Sequence, residues 1–179
     1  MPFWNDPKSQ PKLAFKWYMS FGKAPNDVKS YTVRSFQRPS FQIAVSEYTW
    51  LNDVRFQPGV LTWNPIEIVL TDGEGKDENN AKRMYNILVG GGYNTEPGKI
   101  SEIQKINSSD ALGGQMKFFQ IDENGNHIES WTLINPFLEA VNFGQGNYSS
   151  EEIVSIALTI RYDYALYEDF TSPDLAPIR

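Results

Sequence analysis

Three oxygen-bearing residues, Asp122, Asn124 and Asn126, have the alternate spacing of a calcium-binding loop. Such a loop needs a bidentate glutamate at its twelfth position and a glycine placed for its sharp turn. Here Leu133 stands at the twelfth position and the glycine is misplaced. The segment contains Asn124-Gly125, the strongest two-residue hairpin signal. It is therefore predicted to be a plain hairpin rather than a metal site.

Other residues that could do chemistry lack the partners that their reactions require. The glycines at 90–92 follow a predicted helix instead of opening one, and no Lys-Ser or Lys-Thr pair follows, so a phosphate loop is not indicated. His127, the one histidine, has no cysteine or serine elbow to activate. Glu47 and Glu67 could form a glycosidase pair, but carboxylates on the wet face of a sheet are commoner. The sequence predicts a protein that is not an enzyme and uses no cofactor.

The composition indicates one domain with an acidic surface. The chain has 179 residues, of which 40% are hydrophobic and 14% aromatic, which suffices for a core and favours β structure. Acidic residues outnumber basic ones by 22 to 16, and the net charge is −6. General nucleic-acid binding is not expected, because it needs clustered Lys and Arg. Such a surface would suit a passage to which DNA must not adhere.

The lack of cysteine excludes disulfides, thiolate chemistry and cysteine-ligated metals. No apolar run approaches the roughly 20 residues of a membrane span, so insertion into a membrane is not expected. The first residues lack the basic and apolar parts of a signal peptide. We therefore expect the chain to be made and used in a cytoplasm.

The elements that would position these side chains are mostly strands. Between Val154 and Leu166 every second residue is apolar, which is the pattern of a strand with one buried face. At about 3.4 Å per residue this strand would run roughly 45 Å. Phe41, Ile43 and Val45 also share one side of a predicted strand, and Glu47 follows them. Strands of this length predict an extended sheet in a self-assembling structural protein.

Residues 12–168 are predicted to form the β core of a single domain spanning 1–179, with an arm at 1–11 and a tail at 169–179. One helix is predicted at 78–89, with Asp77 as its N-cap, and a short helix at 100–106 is a further candidate. Pro58-Gly59 is predicted to be a turn. The predicted strands are 13–21 paired with 31–37, then 40–50, 61–71, the hairpin 116–121 with 128–134, and the long last strand.

A cluster of large apolar residues surrounds the predicted hairpin tip at 48–56. Side chains of this size at a tip cannot all reach the core of their own domain, and exposed apolar patches mark interfaces. A sugar-binding aromatic platform and a loop folded back onto the core are the alternatives. The cluster, called the tip cluster below, consists of Tyr48, Trp50, Leu51, Val54 and Phe56.

The order of these elements resembles that of the tail tube proteins of contractile-tailed, T4-like phages. Through the fold it also resembles the tube proteins of type VI secretion systems. The likeness covers residues 12–168 and is one of pattern, without an invariant motif. It rests on the segment 56–70, the helix, the Asn-Gly hairpin, and the passage from 134–144 through Ser149-Ser150-Glu151 into the last strand.

The resemblance implies a mainly β fold, with two packed antiparallel sheets or a β-barrel and one flanking α-helix. Six copies would form a ring, and rings would stack into a hollow tube in which strands of neighbouring copies close one barrel. A hexamer would carry six times −6 charges, about −36, which suits a channel that repels DNA.

The resemblance also implies roles for particular residues. The tip cluster would contact the next ring, and Lys82 and Arg83 on the helix would meet a surrounding sheath. The candidates for residues that line the lumen are Glu47, Glu67, Thr159 and Asp163.

The leading hypothesis is a phage tail tube protein of the virion, assembled in the host cytoplasm, that encloses a channel for DNA ejection. Its expected partners are further copies of itself, the tail sheath protein, baseplate and tape-measure proteins, and genomic DNA in transit without specific binding. Two alternatives stay open. One is a single-ring initiator or terminator at the baseplate or neck, and the other is a carbohydrate-binding β-sandwich.

Overall fold

The fold is mainly β, and a computed structural model describes residues 12–75, 78–149 and 151–170. Its strands are β1 Trp17–Ser20, β2 Val33–Phe36, β3 Phe41–Trp50, β4 Asp53–Trp63, β5 Ile66–Thr71, β6 Gln115–Ile121, β7 His127–Ile134, β8 Phe137–Asn142, β9 Ser155–Arg161 and β10 Tyr164–Asp169. Its α-helices are α1 Asn80–Gly90 and α2 Lys105–Ala111.

Two four-stranded antiparallel sheets share one core, and a two-stranded hairpin extends away from it. The first sheet has the order β1-β6-β7-β10, the second has the order β2-β5-β9-β8, and the hairpin is β3-β4. The predicted fold of packed antiparallel sheets is confirmed, but over the described residues the sheets do not close into a barrel. Besides the helix predicted at 78–89 there is a second one, α2, which overlaps the end of the further candidate at 100–106.

The core lies between the two sheets. Ile68 of β5 is opposite Leu158 of β9, and both are almost fully buried. Phe36 of the second sheet stacks on Phe118 of the first, with ring centroids 4.8 Å apart. Met84 of α1 belongs to the same buried cluster. Each such side chain contributes about 1.5–3 kcal/mol through its removal from water.

The long last strand predicted for Val154–Leu166 is two strands in different sheets. β9 ends in the second sheet at Arg161, and β10 begins in the first sheet at Tyr164. The alternation of buried residues ends at Tyr162, because Tyr164 and Leu166 are about half exposed. The prediction of one strand is wrong, since alternation records a buried face and does not identify the neighbouring strand.

The hairpin predicted from 13–21 and 31–37 is also wrong. The first strand is reduced to β1, which pairs with β6, and β2 pairs with β5 in the other sheet. The predicted strand 61–71 is divided at Asn64-Pro65, where the chain leaves β4 and enters β5.

The hairpin predicted at 116–134 is confirmed as β6 and β7. α1 begins two residues later than predicted, and the Asn79 side chain caps it by accepting from the Lys82 backbone N–H at 2.8 Å. α2 begins five residues later than the short helix predicted at 100–106. None of the helices in the described part of the chain is long and apolar enough to cross a membrane.

Several predictions fall partly or wholly outside the described residues. Asp169, assigned to the tail, is the last residue of β10. The predictions outside the description are the arm at 1–11, the Asp77 cap, Ser150 of the polar loop, and the tail at 171–179.

Candidate functional site

The most exposed secondary structure is the β3–β4 hairpin, which continues the β2–β5 pair of the second sheet. The Gln37 backbone N–H donates to Glu67 O, and the Asn64 backbone N–H donates to Ser40 O, each at 2.9 Å. These bonds carry the pairing through the junction into β3 and β4. The strands are 10 and 11 residues long, so they span roughly 35 Å. All their residues are exposed except Trp63 at the root, which is partly buried.

The two faces of this hairpin differ in chemistry. Opposed residues in an antiparallel pair share a face, and the register shifts between Ile43 and Val45, which lie opposite Leu61 and Pro58. Gly59 falls in this bulge, where an added Cβ would lie 3.1 Å from Ala44 O. The bulge keeps apolar residues on one side despite the irregular spacing of β4. This side, the apolar face, comprises Phe41, Ile43, Val45, Glu47, Thr49, Val54, Phe56, Pro58, Leu61 and Trp63.

The apolar face continues the core side of the second sheet. Phe41 contacts Trp63 edge to face, with ring centroids 5.4 Å apart, and Trp63 lies 6.0 Å from the buried Tyr162 ring. Beyond this root the first sheet no longer covers it. Val45 and Phe56 are 62% and 66% exposed. The hairpin is therefore a core-type sheet without its second layer.

The tip cluster is divided between the two faces. Val54 and Phe56 lie on the apolar face, whereas Tyr48 and Trp50 lie on the opposite face, across from Arg55 and Asp53. Leu51, at the turn, is 86% exposed and has a φ of +55°. The predicted tip exists, but the turn predicted at Pro58-Gly59 is wrong, because these residues lie within β4.

The exposed apolar residues nearer the root were not selected from the sequence. The alternating pattern correctly places Phe41, Ile43 and Val45 on one side of a strand. This pattern is the sequence signal that could have identified the apolar face. Leu61 joins them across the ladder. Their exposure could not be read from alternation, which is the same for a strand that is covered and for one that is not.

The four lumen candidates lie in three different places. Glu67 and Thr159 are directly opposed in the β5–β9 pair, on the side away from the core. Glu47 instead lies opposite Phe56 on the apolar face of the hairpin. Asp163 lies at the corner between β9 and β10, where its carboxylate accepts from Lys105 Nζ and from Asn135 Nδ2.

The surroundings of Asp163 stabilise its charged form. Its pKa lies below the ordinary value of 3.8, chiefly because Lys105 and Asn135 donate hydrogen bonds to the carboxylate. Asp163 therefore has a structural partner of opposite charge, and it does not share a face with Glu67 and Thr159. Its observed contacts are those of a corner residue, and its place in a lumen stays a prediction.

The two sheath candidates differ in accessibility. Lys82 is exposed, whereas Arg83 is 5% exposed and its Nη1 lies 3.4 Å from Asn80 Oδ1 within the protein. The burial of Arg83 in one copy does not favour a sheath contact, whereas Lys82 is accessible, and both assignments stay predictions. The buried face of α1 contains Asn80, Arg83, Met84 and Ile87.

A buried acidic residue that sequence analysis did not select joins three segments at the hairpin root. Glu129 of β7 is 4% exposed and forms ion pairs with Lys12 and with Arg38, whose Nη1 lies 3.4 Å from Glu129 Oε1. Tyr167 donates its hydroxyl to Glu129 Oε2 at 3.3 Å. The pKa of Tyr167 is raised, first by burial and then by the negative charge of Glu129.

The possible calcium loop is closed by its own hydrogen bonds. Asp122 Oδ1 accepts from the backbone N–H groups of Asn124 and Asn126, each at 2.8 Å, as expected for a turn. His127 stacks on Phe119 at 4.3 Å between ring centroids. Among the described residues no group of three or more metal-ligating side chains is assembled.

Comparison with known proteins identifies the fold. No family model matches the sequence, and no curated protein matches it significantly. A chain of the anti-feeding prophage cap (AFP tube terminating cap) superposes with a TM-score of 0.66 at 16% identity, over 94% of this chain and 99% of that one. A chain of an extracellular contractile injection system, in a PVC sheath-tube complex, gives a TM-score of 0.65 at 13% identity over 90% and 94%.

A third similar structure comes from the six-fold symmetrised AFP baseplate, with a TM-score of 0.66 at 11% identity over 92% and 99% of the two chains. The type VI protein Hcp1 of an E. coli pathovar is also similar, at a lower TM-score of 0.47. The chain thus has the fold found in tube and terminator assemblies of contractile injection systems.

Proposed function

We propose that this chain is a structural tube protein of a contractile machine, such as a phage tail or a related injection device. Copies would join into six-membered rings that stack into a hollow tube. A sheath would surround the tube, and DNA or another payload would pass through it without specific binding. Baseplate and tape-measure proteins would be further partners.

The observation that carries this proposal is the shared fold, because the alignment with assembly components spans nearly the whole of both chains. The six-fold symmetry named for the similar AFP baseplate supports the ring size.

The surfaces of this chain support self-assembly. The strands β1, β2, β8 and β10 are edges of their sheets, and open edges are normally covered or paired in a soluble monomer. A ring would allow edges of neighbouring copies to pair. The hairpin adds a long apolar face that no other described residue covers beyond its root. Such patches in a stable protein mark interaction sites.

The outward side of the second sheet supports a channel wall. It presents Glu67, Ala157 and Thr159, which are small or acidic, and its Arg161 is held by Glu139 through two hydrogen bonds of 2.9 Å. Among the described residues of this side, no cluster of unpaired cations is present that could retain phosphates. We assign Glu67 and Thr159 to the lumen.

A second candidate function is a single-ring terminator or initiator with the same fold. It is favoured by the similar chains in the tube terminating cap and in the sheath/tube terminator. A tube protein would be among the most abundant chains in purified particles, whereas a terminator would be present in about one ring. Quantitative mass spectrometry of particles separates the two.

The first test is negative-stain electron microscopy of the purified, concentrated protein, with and without baseplate seeds. Hollow tubes or stacked rings are expected. Isolated rings that never stack would favour the terminator. Uniform monomers under all conditions, including seeding, would contradict both proposals, and a glycan array would then test the carbohydrate-binding alternative.

A further inference from the structure

We propose that the apolar face of the β3–β4 hairpin docks onto the outer face of the first sheet in a second copy of this chain, with Glu47 opposite Lys117. The inference rests on the proposed self-assembly and names the two surfaces that meet. It places the contact along the hairpin's length and not at its tip alone.

The apolar face is large enough to be one side of a stable interface. Apart from the partly buried Trp63, its six largest aliphatic and aromatic residues are each about half exposed, and together they present on the order of 600 Å². A standard interface buries about 800 Å² per partner. The polar atoms at the rim of the hairpin supply the remainder. These six residues are Phe41, Ile43, Val45, Val54, Phe56 and Leu61.

The outer face of the first sheet has small side chains at its centre and larger ones beside them. Ser130 and Thr132 of β7 lie at its centre and are 1% and 8% exposed, so they form a floor of small side chains. Phe119 and Lys117 stand beside them on β6, and Leu166 stands beside them on β10. Larger residues on both sides of a buried floor make a shallow groove that runs along the strands.

The groove is apolar at its margins. Tyr18 of β1 lies 5.9 Å from Phe119 between ring centroids, and Tyr18, Tyr164 and Leu166 are each close to half exposed. These are residues whose burial stabilises an interface, and aromatic residues are enriched where proteins meet. Glu168, the acidic residue on this face, accepts from Ser130 Oγ at 3.2 Å at the edge strand.

Charge complementarity favours this groove as the docking surface. Glu47 is the one ionisable residue among the ten of the apolar face, and Lys117 stands among the apolar residues of the groove. Neither forms an ion pair within residues 12–75, 78–149 and 151–170. A carboxylate covered by apolar surface is strongly unfavourable unless a cation accompanies it. Lys117 supplies that cation from the second copy.

The exposed isoleucines near α2, which also lie beside lysines, form a less suitable surface. Ile100, Ile103 and Ile106 are exposed near α2, but Lys99 already pairs with Glu96 and Lys105 already pairs with Asp163. Docking of Glu47 there would require one of these pairs to break. That surface is also formed by a loop and a short helix, which match a flat strand pair poorly.

The test is a charge swap between copies. Glu47→Lys and Lys117→Glu are made separately and together, with Gln57→Lys on the opposite face of the hairpin as the control. Assembly is measured as the protein concentration needed for pelletable rings or tubes, checked by electron microscopy. Each single variant is expected to raise this concentration at least about tenfold, as for close charge pairs at interfaces. The double variant should assemble at a protein concentration near that of the wild type, because the charge pair is restored in reverse. The control variant should also assemble near the wild-type concentration.

Both residues are exposed on strands, so each variant is expected to fold. Circular dichroism verifies this. Wild-type assembly with single variants that assemble equally well would overturn the inference and leave the proposed function intact. Single variants that fail without rescue in the double variant would also overturn the pairing. A wild-type protein that never assembles, even with seeds, would contradict the proposed function itself.

Discussion

Asn135 Nδ2 donates a hydrogen bond of 3.0 Å to Asp163 Oδ2, and this contact joins the two corners at which the chain passes between the sheets. Asn135 lies between β7 and β8, and Asp163 lies between β9 and β10. The Asp163 backbone N–H also donates to Ile134 O at 3.1 Å. One small polar cluster therefore fixes both crossovers.

Removal of the Asp163 carboxylate should destabilise these corners. Asp163→Ala leaves Asn135 and Lys105 without their acceptor, and a hydrogen bond to a charged group contributes about 1.5–3 kcal/mol. Lys105 is more than half exposed and its charge is screened by water, so we expect a loss at or somewhat below the bottom of this range, about 1–2 kcal/mol. Urea unfolding should show a lower midpoint with an unchanged slope. Asp163→Asn should lose less, because it keeps an acceptor for Asn135.

The contribution of Asp163 should also depend on pH. Hydrogen bonds from Lys105 and Asn135 lower its pKa in the folded protein below 3.8. Its stabilisation is therefore complete above the unfolded value and is lost as the pH falls through the lower folded value. The difference in unfolding free energy between wild type and Asp163→Asn should be constant near neutral pH and should shrink below about pH 4. A difference that persists in strong acid would contradict this account.

The hairpin tip should affect stacking more than folding. Trp50→Asp and Leu51→Asp place charges on residues that are 61% and 86% exposed, so the monomer should retain its unfolding midpoint. Rings should form but fail to stack in electron micrographs. Leu51→Gly removes the side chain but suits the left-handed φ of +55° at this position. It should therefore weaken stacking without destabilising the monomer. Normal tubes from all three variants would contradict a role for the tip.

Glu129 should be needed for stability at the root of the hairpin. Glu129→Ala removes the acceptor shared by Lys12, Arg38 and Tyr167. Because the two cations are about half exposed and can regain water, we expect a loss of about 1–3 kcal/mol, below the value for a fully buried pair. Urea unfolding measures the loss. Glu123→Ala, which removes an exposed partner of Lys16, should cost much less.

The assignment of Thr159 to the lumen can be tested by labelling, because the chain has no cysteine of its own. In assembled tubes, Thr159→Cys should react with a small maleimide but be protected from a bulky polymer-linked one. Lys82→Cys, on the exposed side of α1, should react with both. Equal reaction of Thr159→Cys with both reagents in intact tubes would place this face outside the channel.

Sequence patterns predicted which face of each strand is buried better than they predicted which strands pair with each other. The alternation from Ile156 to Tyr162 identified buried residues correctly, and Asn124-Gly125 located the β6–β7 turn. The same alternation could not reveal that the chain changes sheets at Asp163. That change depends on contacts with Asn135 and Lys105, which are distant in sequence.

The candidate surfaces were only partly readable for a similar reason. Periodicity placed Phe41, Ile43 and Val45 on one side of a strand. It could not show that, within the described part of the chain, these side chains are left exposed. The β-bulge at Gly59, opposite Ala44, keeps the apolar residues of β4 on one face although their spacing is irregular. No regular pattern in the sequence predicts this bulge. The burial of Arg83 was not predicted, because a charged residue on a helix is usually solvated, whereas here it lies beside the buried Asn80.

The uncovered state of the β3–β4 hairpin has a consequence for the timing of assembly. A lone two-stranded sheet is only marginally stable in water, so its amide hydrogens should exchange far faster than those of β5 or β9 in the monomer. Docking must then include the cost of ordering the hairpin. When two free subunits meet, the hairpin must become ordered while the docking surface is supplied by a single subunit. An existing ring already presents ordered docking surfaces, so addition to a ring should be faster than the first association. A lag phase that seeds abolish is the kinetic signature expected of such a chain.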